Sequence, residues 1–141
     1  MPEFPQLMHT AIDANDARGL AEFYRALLGL SYRPGDEPPT DESEDDDGWL
    51  VLVDADGTRR IAVQRVDSEL PRTTWPSHEV PMQMHIDFAV GSVEELERQK
   101  DRAVALGAAF IGPHGEPDVG YALADPAGHP FCLCVTAGHR P

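Results

Sequence analysis

The sequence predicts an α+β domain of two β-α-β-β-β modules, whose strands form a curved mixed sheet around a shared cavity. Three observations carry that expectation. First, Met8-His9-Thr10-Ala11-Ile12-Asp13 and Met84-His85-Ile86-Asp87-Phe88-Ala89-Val90 open alike, with their histidines 76 residues apart in a chain of 141. A period of this size marks two copies of one supersecondary unit. Second, each opening runs into a helix-patterned segment closed by glycine, at Gly29 and Gly107. Third, each helix is followed by short apolar runs that end in a turn from Asp to Gly and a return strand. The modules fall at residues 6–66 and 82–136 of a single domain, residues 1–141, with a connector at 67–81.

In the first module residues 6–13 read as a strand, and Asn15 or Asp16 caps the helix that follows. Leu20, Phe23, Tyr24, Leu27 and Leu28 form the i, i+3, i+4, i+7, i+8 stripe of a helix packed on one face. Leu30-Ser31-Tyr32-Arg33 is a short strand. Trp49-Leu50-Val51-Leu52-Val53 reads as a buried strand, Asp54-Ala55-Asp56-Gly57 as a hairpin turn, and residues 60–66 as its return. The connector holds Pro71, Pro76 and Pro81, with Trp75 between them.

The second module repeats the order. Residues 83–90 are a strand, and Ser92-Val93-Glu94-Glu95 is a capping box that starts a helix. Residues 108–111 and 119–124 are short strands, Asp125-Pro126-Ala127-Gly128 a turn, and residues 131–135 the last strand. Met84, Ile86, Phe88 and Val90 alternate with Gln83, His85 and Asp87, so an apolar face should meet the helix while the histidine face is left to form a concave wall. Two equivalent strands then aim His9 and His85 at one cavity.

Composition narrows the function classes. Net charge is −14, and Asp36, Glu37, Asp41, Glu42, Glu44, Asp45, Asp46 and Asp47 crowd into one proline-bearing segment. Like-charge repulsion and proline keep such a run extended at the surface. It lacks the spaced Asp-x-Asp-x-Asp-Gly pattern of a calcium loop. No basic patch favours nucleic acid, and no apolar run reaches the roughly 18 residues that cross a bilayer. Met1-Pro2-Glu3-Phe4-Pro5 has no basic or apolar leader region. Cys132 and Cys134, at i and i+2 on one strand, suit the reducing cytoplasm better than a disulfide. Nucleophile-elbow, phosphate-loop and CxxC patterns are absent.

Leu7-Met8-His9-Thr10, the helix segment from Ala21 through Phe23-Tyr24 to Leu28-Gly29-Leu30, Met84-His85-Ile86-Asp87, and Asp125-Pro126-Ala127-Gly128-His129-Pro130-Phe131 together resemble the vicinal-oxygen-chelate superfamily. This superfamily includes glyoxalase I, bleomycin-resistance proteins and extradiol dioxygenases. Trp75-Pro76, Pro81, Gln83, His85 and Asp87 are similar to a glyoxalase-like group of mostly bacterial proteins. The resemblance implies the glyoxalase-like fold, a homodimer, a small organic ligand, and lyase, isomerase or dioxygenase chemistry assisted by a divalent metal. Its four ligand positions fall on His9, Gln64, His85 and Cys132. Both carboxylates that relatives use are missing, which argues against glyoxalase I activity itself. A thiolate at Cys132 would favour zinc over iron, manganese or nickel; Phe131 and Leu133 beside it favour a neutral packing residue instead. Asp87 shares a face with His85 and is the candidate to orient an imidazole or act as a base; pairing with an arginine is its structural alternative. Trp75 and Trp49 are candidates to line or cover the cavity. The other function open at this point is a metal-free binding protein of the bleomycin-resistance type.

Overall fold

The computed structural model describes residues 3–41, 43–45, 48–115 and 119–136. Glu42, Asp46 and Asp47 of the acidic segment lie outside the described residues. The chain divides into two compact units, Met1–Glu69 and Leu70–Pro141. Each carries one helix and one four-stranded mixed sheet in the order β-α-β-β-β. No helix of the described residues is long and apolar enough to cross a membrane.

The first unit contains β1 (Thr10–Ala14), α1 (Ala17–Leu28), β2 (Ser31–Tyr32), β3 (Trp49–Val53) and β4 (Arg59–Arg65), with sheet order β1-β4-β3-β2. Asp16 starts α1: its side chain accepts from the Gly19 backbone N–H at 2.9 Å. Gly29 ends it in the left-handed region at φ 68°, where glycine alone carries no Cβ penalty. Leu20, Phe23, Tyr24 and Leu27 are buried, and so are Ile12, Leu50, Leu52, Ile61 and Val63 on the strands. This apolar layer of strand and helix side chains is the core of the unit.

The second unit contains β5 (Ile86–Val90), α2 (Val93–Ala105), β6 (Ala109–Pro113), β7 (Gly120–Ala124) and β8 (Pro130–Val135), ordered β5-β8-β7-β6. Ser92 caps α2 by accepting from the Glu95 N–H at 3.1 Å, while Glu95 pairs with Arg98 rather than closing the capping box. Leu96, Leu123, Phe131 and Leu133 are buried. Residues from Leu70 onward belong to this unit, and the Thr73 N–H donates to the Gly128 carbonyl at 2.9 Å.

The repeat extends to individual hydrogen bonds. Asp54 Oδ1 accepts from Asp56 and Thr58, and Asp125 Oδ1 accepts from Ala127 and His129. Gly57 and Gly128 each return an N–H to the backbone carbonyl of their aspartate. Both glycines have positive φ, 80° and 95°. The second copy is more constrained, because a Cβ on Gly128 would lie 2.9 Å from the Arg72 Cα.

Two strand expectations need correction. β1 and β5 begin at Thr10 and Ile86, so His9 and His85 each stand one residue before their strand. The registers explain this: β5 opens opposite Phe131, and the preceding partner of His85 would be Pro130, which has no N–H to give. Met8 and Met84 are therefore exposed rather than packed against a helix.

Gly128→Ala should cost about 2 kcal/mol or more of unfolding free energy in urea titrations, since strain and a backbone clash add. Gly57→Ala, whose Cβ meets nothing within 4 Å, should cost only about 1 kcal/mol.

Candidate functional site

Parallel pairing of β5 with β8 sets Asp87 directly beside Cys132, and β7 continues the row with Ala122 opposite Cys132. These residues share the sheet face away from Phe131 and Leu133, so the buried thiol sits on the side opposite the α2 core. On β6 the pairing skips Ile111: Phe110 pairs with Leu123, but Gly112 pairs with Ala122. One extra residue reverses which side chains face which way. The bulge thereby turns His114, next in line and bonded through its N–H to the Gly120 carbonyl at 3.0 Å, onto the Cys132 face. Gly120 is tightly enclosed, since a Cβ there would meet the Leu133 carbonyl at 2.9 Å and the His114 carbonyl at 3.3 Å.

The result is a convergence of His85, His114 and Cys132, whose ligand atoms lie within 4.8 Å of one another. Trp75 packs on both imidazoles, with ring centroids 5.1 Å from His85 and 5.0 Å from His114. His85 Nε2 stands 3.2 Å from Asp87 Oδ1. A neutral His85 donating from Nε2 keeps its lone pair on Nδ1, which is how a carboxylate orients a ligating imidazole. Burial, then the Asp87 charge, push the Cys132 thiol up to about 12. The same two causes raise Cys134.

Of the expected site residues, the second unit brings together His85, Cys132, Asp87 and Trp75. Asp87 serves a histidine and a thiol, rather than an arginine. His114 was missed by sequence reasoning; the available signal was Gly112-Pro113 ahead of it, since glycine inside a strand marks a bulge. His9, Gln64 and Trp49 lie in the first unit. The His9 ring stands 5.6 Å from that of Trp49, which is partly exposed rather than core. Gln64 is exposed and pairs with both Asp13 and Trp49. The strand registers make Ala62 the counterpart of Cys132 and Gln64 the counterpart of Cys134, one pleat further along.

The donor set suits a borderline-soft ion. Two imidazoles and a thiolate are zinc ligands, and three protein ligands leave a fourth position open. The raised pKa of Cys132 opposes metal binding, because the ion must displace the thiol proton.

A family model described as glyoxalase-like domain matches residues 9–134. A glyoxalase/bleomycin resistance protein/dioxygenase family enzyme from Burkholderia phytofirmans aligns with a TM-score of 0.65 and 16% identity, over 93% of this chain and 98% of that one. A point mutant of the fosfomycin resistance protein FosX from Listeria monocytogenes, complexed with Mn(II) and 1S,2S-dihydroxypropylphosphonic acid, aligns with a TM-score of 0.61 and 22% identity, over 92% and 91%. FosX from Mesorhizobium loti aligns with a TM-score of 0.63 and 17% identity, over 95% and 92%. At these identities the likeness is one of fold. No curated protein sequence matches the chain.

In metal-free protein, Asp87→Asn should lower the Cys132 pKa and speed its alkylation at pH 8–9, read by mass spectrometry of tryptic peptides. Because folding raises this pKa above the ordinary thiol value of 9.0, its contribution to stability is complete below pH 9. That contribution is lost as pH climbs toward 12, where the unfolded chain ionises first.

Proposed function

The chain belongs to the glyoxalase-like domain family of the vicinal-oxygen-chelate superfamily, and from that premise we propose that it is a metal-assisted enzyme acting on a small organic molecule with neighbouring oxygen atoms. The observation that carries this reading is the meeting of His85, His114 and Cys132 under Trp75. A Mn(II) ion and a small dihydroxy phosphonate in the Listeria protein of the same fold support it. The thiol makes zinc the preferred ion here, because sulfur is a poor ligand for a hard cation such as manganese.

His85, His114 and Cys132 would hold the ion, which supplies Lewis-acid polarisation of substrate oxygens when bound. The remaining roles belong to the chain. Asp87 fixes the His85 ring through Nε2, and its charge helps to hold the Cys132 thiol protonated. Trp75 shields both imidazoles from water and offers an aromatic surface to the organic part of a substrate. Asp87 is also the candidate to take a proton from a substrate carbon or hydroxyl, as its carboxylate is more than half exposed. Lyase and isomerase chemistry fit this arrangement; dioxygenase chemistry needs a redox-active ion, which zinc is not.

One observation favours a second reading. The thiol of the metal-free site is held protonated well above neutral pH, which suits a metal-free cavity that sequesters an organic ligand in the manner of bleomycin-resistance proteins.

Elemental mass spectrometry of untagged protein grown with mixed divalent ions separates the two. The enzyme reading expects about one zinc per chain, and His114→Ala, His85→Ala and Cys132→Ser should each weaken zinc binding by about 100-fold. Metal-free protein that remains folded would favour the sequestering role.

A further inference from the structure

The first unit carries a second unexplained cluster, made of cationic and neutral groups. His9 Nδ1 and Arg59 Nε are both buried, and neither has a hydrogen-bond partner among the described residues. A buried polar atom left without a partner costs roughly 1–3 kcal/mol, and more when charged. Two such atoms on one face are therefore a feature that a ligand would resolve.

The strand register explains how they come together. In β4 the pairing passes from Ile61–Leu52 to Arg59–Val53, so Arg60 is an extra residue. Compared with the turn of the second unit, the first takes one residue more between its glycine and the following apolar strand. That bulge turns Arg59 to the face of Ala62 and Gln64, away from the α1 core. Thr10 pairs with Ile61 and Ala11 with Ala62, so His9 precedes β1 on that same open face. Arg33 joins it through its backbone bond to Val51. Asp36 compensates the Arg33 guanidinium at 3.1 Å, but no ion pair compensates Arg59 among the described residues. Burial and the charges of Arg59 and Arg33 hold His9 below the usual histidine range, which keeps its ring neutral. Ala11 and Ala62 pair further along the same face, and Trp49 stands against His9 as an aromatic wall.

We propose that this face of the first unit binds the carboxylate of a small organic acid: Arg59 Nε–H donates to one oxygen, the His9 ring N–H donates to the other, and the organic body lies against Trp49. The guanidinium fork matches a planar carboxylate. Two guanidiniums beside His9 disfavour a cation in the same place. The inference stands on the first unit alone and does not require metal at His85, His114 and Cys132.

The test is a titration of the full chain with benzoate, followed through the arginine Nε–H signals in nitrogen–proton NMR spectra. A saturable shift of the Arg59 signal is expected, with no response to the neutral isostere benzamide. Arg59→Gln should weaken benzoate binding about tenfold or more, whereas Arg60→Gln, whose side chain is tied to Asp54, should leave it unchanged. Absence of a saturable Arg59 shift, or equal loss in both variants, overturns the proposal. Should Arg59→Gln fail to fold, Arg59→Lys keeps the charge and loses the fork. Several-fold weaker binding then supports the proposal, and unchanged affinity overturns it.

Discussion

Parallel pairing between the first and last strands of each unit, β1 with β4 and β5 with β8, decides which side chains can meet. Such a pair cannot be closed by a tight turn and needs a long crossover; in each unit a helix and two further strands supply it. That crossover produces the β-α-β-β-β order and gives the sheet one helix-facing side. Apolar residues gather there: Ile61 and Val63 in one unit, Phe131 and Leu133 in the other. What remains on the opposite side is available for chemistry. Asp87 beside Cys132 follows directly, as does the position of His9 and His85 at the mouths of the two paired strands.

A second layer of control comes from one-residue irregularities. Arg60 in β4 and Ile111 in β6 are the residues that their partner strands skip. Each skip reverses the facing of what comes next, turning Arg59 in one case and His114 in the other onto the face away from the helix. The turns act similarly at the level of backbone. Gly128 allows Arg72 to approach closely, and this holds the Leu70–Pro81 stretch, and with it Trp75, in the second unit.

The balance between what was legible in the sequence and what was not follows from these two layers. Periodicity is strong over a helix of twelve or thirteen residues and over alternating strands, so both helices, the sheet strands and the Asp-to-Gly turns could be read directly. His85, Cys132, Asp87 and Trp75 were readable as candidates because they lie at repeated or motif-bearing positions. His114 and Arg59 were not, since a bulge depends on partner-strand register, which periodicity within one segment does not carry. The starts of β1 and β5 were misjudged for a related reason: whether a strand continues depends on the partner, and Pro130 offers β5 no donor.

Cys132 gives the second unit its chemical character. A thiol pushed to about 12 is inert toward most electrophiles, yet it becomes a strong ligand once a soft ion displaces its proton. Asp87 serves both states, as a charge that keeps the thiol protonated and as the group that orients His85. X-ray absorption spectroscopy at the zinc edge, on protein loaded with one equivalent of zinc, tests this account most directly. A shell with one sulfur at about 2.3 Å and two imidazole nitrogens at about 2.0–2.1 Å, losing its sulfur in Cys132→Ser, is the predicted result. A shell of nitrogen and oxygen alone, unchanged by that substitution, would contradict it.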